Sequence, residues 1–293
     1  MNNLFTAKNV IVQGITGAHG SFQTKAMIAA GTNVVAGTTP GKAGQVVEGV
    51  PVYDTIADIQ KEHAIDTTVV FVPARFAKGA ILEAIAAKIP LIVCITEGIP
   101  VHDMLVVNKA LQDSASTLLG PNSPGTLVPG SNKLGIIPAP LSLQGSAAIV
   151  SRSGTLTYET MAGLSAHGIG QRYVIGVGGD RIHGMGYIDC LELFQNDPLV
   201  SYIVLIGEIG GQEEIQAADY IKQHVTKPVF TYIAGHHAPL GVQLGHAGAI
   251  LGSDKESAKA KTAILADAGA HTATSITELI TSVKWYTDNN EKN

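Results

Sequence analysis

Short β-branched runs alternate with segments of helical length along the whole chain, and this rhythm restricts the fold more than any other feature of the sequence. Val10-Ile11-Val12-Gln13 stops at Gly14. Phe22, Ala26, Ala29 and Ala30 then recur at the spacing of one helix face, which Gly31 ends. The same reading predicts strands over 33–36, 69–72 (halted by Pro73), 91–95 and 117–119, with helices over 79–88 and 103–114. Strand–helix–strand crossovers of this length join parallel neighbours and put helices on both faces of a sheet. Past 145 the rhythm resumes, with strands over 147–150, 173–176, 203–206 and 229–233 and helices over 155–167, 188–194, 212–224, 255–267 and 276–286. The fold class is therefore α/β, a Rossmann-like N-terminal domain followed by a flavodoxin-like doubly wound domain. Prolines at 121, 124, 129, 138 and 140 break the periodicity between the two halves. The expected division is 1–121, an interdomain connection over 122–145 packed on the surface of both units, and 146–293.

At 293 residues the chain has room for two cores. Charged residues make up only 15%, the net charge is −5 and no dense Lys/Arg run occurs, which argues against a nucleic-acid surface. Low charge with a positive mean hydropathy points to apolar surface covered by another chain. Cys94 and Cys190 each lie inside an apolar run. Neither a disulfide framework nor a thiolate metal site is expected, and a reducing compartment fits. No stretch reaches about eighteen apolar residues, so no membrane span is expected. Met1-Asn2-Asn3-Leu4 has neither a basic nor a long apolar segment. The expected location is the cytoplasm, or the mitochondrial matrix if a transit peptide has been removed.

In such folds the turns after the strands line the carboxyl edge of the sheet, where ligands bind. Gly14-Ile15-Thr16-Gly17-Ala18-His19-Gly20 joins the first strand to the first helix, where free amides and the helix N-terminus hold phosphate. Its spacing is not the G-x-G-x-x-G of dinucleotide sites. The second strand ends Ala36-Gly37-Thr38 without an acidic residue, so both features count against NAD. The stretch from Gly37 to Gly44 fails as a P-loop, because Gly41 comes one residue early and Ala43 stands where Ser or Thr is needed. Lys42 fits better as a point charge for a phosphate near the first glycine loop. Ile95-Thr96-Glu97-Gly98 and Pro121-Asn122-Ser123-Pro124-Gly125 belong to the same edge. Together these loops describe a site for an elongated, phosphate-bearing ligand.

In the second half, Ser151-Arg152-Ser153-Gly154-Thr155 opens a helix after a strand, as an anion site or an ordinary N-cap would. Gly207-Glu208-Ile209-Gly210-Gly211 brings Glu208 to the carboxyl edge. Gly245-His246-Ala247-Gly248 surrounds one imidazole with small residues, and a neutral imidazole is a nucleophile near pH 7. A carboxylate such as Glu208 could bond one ring nitrogen and leave the other to attack. His236, His237 and His246 form the one local histidine cluster, without HExxH or cysteine ligands, and no metal site is expected.

With Gly14–Gly20, Thr39-Pro40-Gly41-Lys42, Ile95 to Pro100, Gly120-Pro121-Asn122, Ser151 to Glu159, Gly178-Gly179-Asp180, Glu192-Leu193-Phe194, Gly207 to Gly211 and Gly245 to Ile250, the chain resembles the α subunit of succinyl-CoA synthetase (succinate–CoA ligase) over essentially its full length. The resemblance implies a CoA-binding domain and a ligase domain whose histidine is phosphorylated. Thr16, Gly17, Ala18, His19, Lys42, Ile95, Thr96 and Glu97 would bind CoA. His246 would carry the phosphoryl group with Glu208 as its partner. Tyr158, Ser153, Gly154, Thr155 and Asn122 would serve the substrate and phosphate. It further implies a β subunit of ATP-grasp fold holding ATP or GTP and Mg²⁺, in an αβ or α₂β₂ assembly of the citric acid cycle. The chain departs from the family at Ser123, where cysteine is common. It departs again at Arg181-Ile182-His183-Gly184-Met185-Gly186, and at Leu240, where a lysine often follows the proline. A malate–CoA ligase subunit, a CoA-binding module without turnover and an NAD-dependent dehydrogenase are the competing expectations.

Overall fold

The computed structural model describes residues 4–6, 8–236 and 245–290. They form two units. One runs to Ile137 and takes in Ile182–Gly184; the other holds Pro138–Arg181 and the chain from Met185 onward.

The first unit contains β1 (Val10–Gln13), α1 (Ala18–Ala29), β2 (Val34–Thr38), β3 (Val46–Val47), β4 (Val50–Tyr53), α2 (Ile56–Ile59) and β5 (Thr67–Val70). It continues with α3 (Ala74–Ala86), β6 (Leu91–Cys94), α4 (Val101–Gln112), β7 (Thr117–Leu119), β8 (Gly125–Val128) and β9 (Asn132–Gly135). Its main sheet runs β3-β4-β2-β1-β5-β6-β7. All its pairs are parallel except β3 with β4. The strand order reverses between β1 and β5, the switch point of a Rossmann-type sheet. β1, β5 and β6 are wholly buried, which is why they read as unbroken apolar or β-branched runs instead of alternating ones. On one face Ile11, Ala36, Val70 and Ile92 pack against Ile56 and Ile59 of α2, Ile81 and Ala84 of α3, and Met104 and Val107 of α4.

Three local differences from the periodicity have plain causes. Helices α3 and α4 begin at Ala74 and Val101 because Pro73 and Pro100 occupy their N-cap positions, with φ of −57° and −56°; each proline ends what precedes it and starts a helix. β4 was hidden by Pro51, which is tolerated where β4 meets only the two-residue β3 on that side. The stretch 122–145, expected as a surface connection, contains the antiparallel hairpin β8–β9 with both strands buried. That hairpin is tied into the first unit. Thr32 Oγ1 donates to the Lys133 carbonyl at 2.8 Å, and the buried Lys133 Nζ donates to Gln23 Oε1 at 2.7 Å and to the Gly135 carbonyl.

The second unit contains β10 (Gln144–Ser151), α5 (Gly154–Ala166), β11 (Gln171–Gly176), α6 (Tyr187–Asn196) and β12 (Tyr202–Glu208). After these come α7 (Glu213–His224), β13 (Val229–Ala234), α8 (Ala258–Asp267), β14 (His271–Ala273) and α9 (Ile276–Asn290). Its parallel strands run β14-β13-β12-β10-β11. This is the flavodoxin-like order, reversing between β10 and β12. α5 packs against α9, while α6, α7 and α8 pack in succession, so both sheet faces are covered. The helix expected from 255 begins at Ala258, where Ser257 Oγ caps it by accepting from the Ala260 N–H at 3.2 Å. Among the described residues no helix is long and apolar enough to cross a membrane.

Candidate active site

In the first unit the turns after β1, β2, β5 and β6 surround a cavity of about 1080 Å³ at the switch point. Thr16, Gly17, Ala18, His19, Ile95, Thr96 and Glu97 all line it. The glycine loop turns at Gly14, whose φ of +83° is the left-handed region, and enters α1 with Gly17 at the N-cap and no side-chain cap. The first-turn amides are thus left to a ligand, and the positive end of the helix dipole favours an anion there. Gly20 has no alternative: a Cβ on it would lie 2.2 Å from the Gly14 carbonyl oxygen. Thr16 Oγ1 bonds Thr39 Oγ1 at 3.1 Å, and Thr96 Oγ1 donates to the Val72 carbonyl at 2.7 Å, so neighbouring turns brace one another.

Lys42 does not line the cavity. It is exposed, with its N–H held by Asp54 Oδ1 at 3.1 Å. Asn122, with φ of +52°, also lies outside the lining and donates its N–H to the Thr96 carbonyl at 2.9 Å. Ser123 Oγ accepts from the Gly125 N–H at 2.8 Å, a turn contact. Phe71, Phe76, Asp54 and Glu83 line the cavity as well. Each lies just past a strand or along α3, where periodicity marks only the buried face.

The second unit assembles its own constellation at its switch point. Glu208 ends β12, and its Oε2 lies 2.7 Å from His246 Nδ1. The other oxygen, Oε1, is 3.2 Å from Nε of Arg152, which follows β10 directly. Arg152 is only 4% exposed and also reaches Glu213 Oε1 at 3.3 Å and the carbonyls of Gly179 and Asp180 at 3.3 and 3.2 Å. Behind Glu208 a buried pair fixes the backbone. Lys261 Nζ donates to the carbonyls of Glu208 and Gly210 at 2.8 and 2.6 Å and pairs with Glu214. Glu214 Oε1 in turn accepts the Glu208 N–H at 3.1 Å. The imidazole is seated against Gly179, where a Cβ would lie 2.3 Å from His246 Cγ.

Ser153, Gly154 and Thr155 follow Arg152 on the turn into α5. Ser153 Oγ caps the helix by accepting from the Leu156 N–H at 3.3 Å. Tyr158 on α5 is half-buried, and that burial pushes its phenol up to about 12, keeping it protonated. His236 stacks on Tyr232 at 6.5 Å between centroids, whereas His237 and Leu240 lie outside the described residues. Among the described residues no three or more His, Cys, Asp or Glu side chains group to hold a metal ion. Arg152, Gly179, Glu214 and Lys261 were missed as site residues. A buried arginine between two serines, or a lysine in Ala258-Lys259-Ala260-Lys261, reads from sequence as a solvated charge.

A family model described as a CoA binding domain matches residues 5–98, and one described as CoA-ligase matches 150–271. The ADP-forming succinate–CoA ligase subunit alpha 1 of Archaeoglobus fulgidus is 48% identical over 275 residues, covering 94% of each chain. This chain belongs to the succinate–CoA ligase α-subunit family. Family relatives from Aquifex aeolicus (51% identity over 264 residues, 89% of this chain and 87% of the relative) and Staphylococcus epidermidis (46% over 283 residues, 96% and 94%) are similar along nearly the whole chain. The fold extends beyond the family. An ATP citrate lyase from Methanothrix soehngenii, solved with citrate and coenzyme A, superposes with a TM-score of 0.87 at 24% identity. That match covers 98% of this chain and 51% of the lyase, so the chain spans about half the length of that enzyme. The name α subunit, carried by the relatives, implies that the family works with a partner subunit.

Proposed function

We propose that this chain is the α subunit of a ligase that joins succinate to CoA, with His246 as the phosphoryl carrier. The observation that carries the reading is the 2.7 Å contact between His246 Nδ1 and Glu208 Oε2. A carboxylate accepting the Nδ1 proton selects the tautomer whose Nε2 bears the lone pair. Nε2 attacks the terminal phosphoryl group of ATP or GTP, the bond to the leaving nucleoside diphosphate breaks, and Glu208 stabilises the positive charge that develops on the ring. The succinate carboxylate then takes the phosphoryl group from Nε2, giving succinyl phosphate and neutral His246. Attack of the CoA thiolate on the acyl carbon expels phosphate and leaves the thioester.

CoA is assigned to the cavity of the first unit, with Thr16, Gly17, Ala18, His19, Ile95, Thr96 and Glu97 around it; Lys42 is held to a longer-range electrostatic role. The uncapped start of α1 and the room left by Gly20 fit a phosphate-bearing ligand. Ser153, Gly154 and Thr155 are assigned to the phosphoryl group through the amides that open α5, with Tyr158 and Asn122 as supporting substrate contacts. Nucleotide and Mg²⁺ are assigned to a β subunit of ATP-grasp fold, in an αβ or α₂β₂ complex of the citric acid cycle. The CoA-binding part is assigned to the first unit, which extends past 121 to Ile137, and the ligase part to the second, from Pro138. The bacterial and archaeal relatives support a cytoplasmic setting.

The test is to purify the chain with its partner subunit and expose the complex to nucleotide labelled in the terminal phosphate. Acid-labile, alkali-stable label on His246, abolished in His246→Ala, is the expected result. Stable label on another residue would refute the assignment.

A further inference from the structure

We infer that Arg181 is an anion-binding residue of the His246 site, its guanidinium meeting the oxyanion that comes up to the imidazole. The inference rests on the phosphohistidine reading and adds to it a residue that the reading does not use. Arg181 Nε donates to the carbonyl of Ala247, the neighbour of His246, at 3.0 Å, and the side chain is exposed. One nitrogen of the fork is thereby anchored beside the nucleophile. The same planar group has further N–H donors in the geometry that suits phosphoryl or carboxylate oxygens.

Charge balance favours such a group. Around His246 the carboxylates of Glu208, Glu213 and Glu214 face the cations of Arg152 and Lys261, an excess of one negative charge. Both cations are already engaged. Arg152 is 4% exposed between Glu208 and Glu213, and Lys261 is fully buried on Glu214. The sequence between Lys227 and Lys255 holds no lysine or arginine, so the strand and loop that deliver His246 bring no cation. Asp180 adds another carboxylate to the segment that carries Arg181. A phosphoryl group of roughly −2 charge entering there meets like charge from beneath. Among the described residues Arg181 is the exposed cation tied to that loop.

The anion could be the transferring phosphoryl group or the carboxylate of the acid substrate, and two measurements separate them. In the complex with the partner subunit, the rate of His246 labelling by nucleotide alone reads the first. KM for the acid, with KM for CoA as control, reads the second. Arg181→Gln keeps an N–H donor for the Ala247 carbonyl and removes the charge; Arg181→Lys keeps the charge. The expected result in Arg181→Gln is a fall of about tenfold or more in labelling rate, or a rise of that size in KM for the acid, the scale of one charge-assisted hydrogen bond. Arg181→Lys should recover part of it, with KM for CoA unchanged. If Arg181→Gln matches the wild type in both measurements while label still forms on His246, the inference is overturned. It is equally overturned if Arg181→Lys is as impaired as Arg181→Gln, since charge then plays no part. Absence of label from the wild type would instead overturn the phosphohistidine reading.

Discussion

Gly179→Ala should slow phosphorylation of His246 without unfolding the protein. Gly179 does not adopt the left-handed backbone region, so an L residue is permitted there; the nearest obstacle is the imidazole. A Cβ would stand 2.3 Å from His246 Cγ, 2.6 Å from Cδ2 and 2.7 Å from Nδ1. Carbon atoms in contact need about 3.5 Å, so the ring must retreat by about 1 Å. Directed along the bond, such a shift stretches the 2.7 Å contact from Nδ1 to Glu208 to as much as roughly 3.7 Å, beyond hydrogen-bond range. Hydrogen bonds to charged groups contribute about 1.5–3 kcal/mol, so the labelling rate should fall roughly 10- to 150-fold. Rapid-quench labelling of the complex measures the rate. A nitrogen-15 spectrum of His246 reports whether the proton still resides on Nδ1, and a melting curve tests the fold. Labelling within twofold of wild type, or a rate loss with Nδ1 still bonded to Glu208, would refute the reasoning.

Other perturbations test the remaining parts. Gly20→Ala drives a methyl group into the Gly14 carbonyl and must displace the loop, at about 1–3 kcal/mol, so CoA binding by calorimetry should weaken about tenfold; unchanged affinity would remove this loop from the CoA site. Lys261→Met strands Glu214 as a lone buried carboxylate and should cost about 3–5 kcal/mol in a denaturant titration, while Lys261→Met with Glu214→Leu recovers only part of it, because the Glu208 and Gly210 carbonyls and the Glu208 N–H still lose their partners. No recovery in the double variant would show that the ion pair is not the cause. Burial lowers Lys133 from 10.5 to about 8. Below pH 8 both states are protonated and the native state bears the cost of a buried cation, about 3 kcal/mol. Between pH 8 and 10.5 the unfolded chain keeps the proton that the native state releases, so this group's contribution to stability rises. The stability of Lys133→Met relative to wild type should therefore decline from pH 7 to pH 10, and a difference independent of pH would contradict the assignment.

Most of the architecture was legible because parallel strands buried on both faces need unbroken apolar or β-branched runs, as in β1, β6 and β12. The hairpin β8–β9 was not legible. Its place in the fold is held by Thr32 bonding the Lys133 carbonyl and by Lys133 finding Gln23, contacts 101 and 110 residues apart in the chain. β14 escaped because His271-Thr272-Ala273 is too short for any period to register. Of the candidate cavity residues, those on the glycine loop and the β6 turn were found because they follow strands. Lys42 stands outside the lining, on a turn whose N–H is held by Asp54, a tertiary contact that the sequence does not show.

The sequence by itself determined the alternation of strands and helices, the glycine turns that leave helix starts uncapped, and which histidine has small neighbours. These are properties of adjacent residues and need nothing beyond their own chemistry. Only the tertiary structure decided that Glu208 and His246, 38 residues apart, share a hydrogen bond, and that Arg152 and Lys261 are buried beneath them. The strand order supplies the reason. It reverses between β10 and β12 and brings the carboxyl ends of separate strands together, and no local signal encodes which distant charge arrives there.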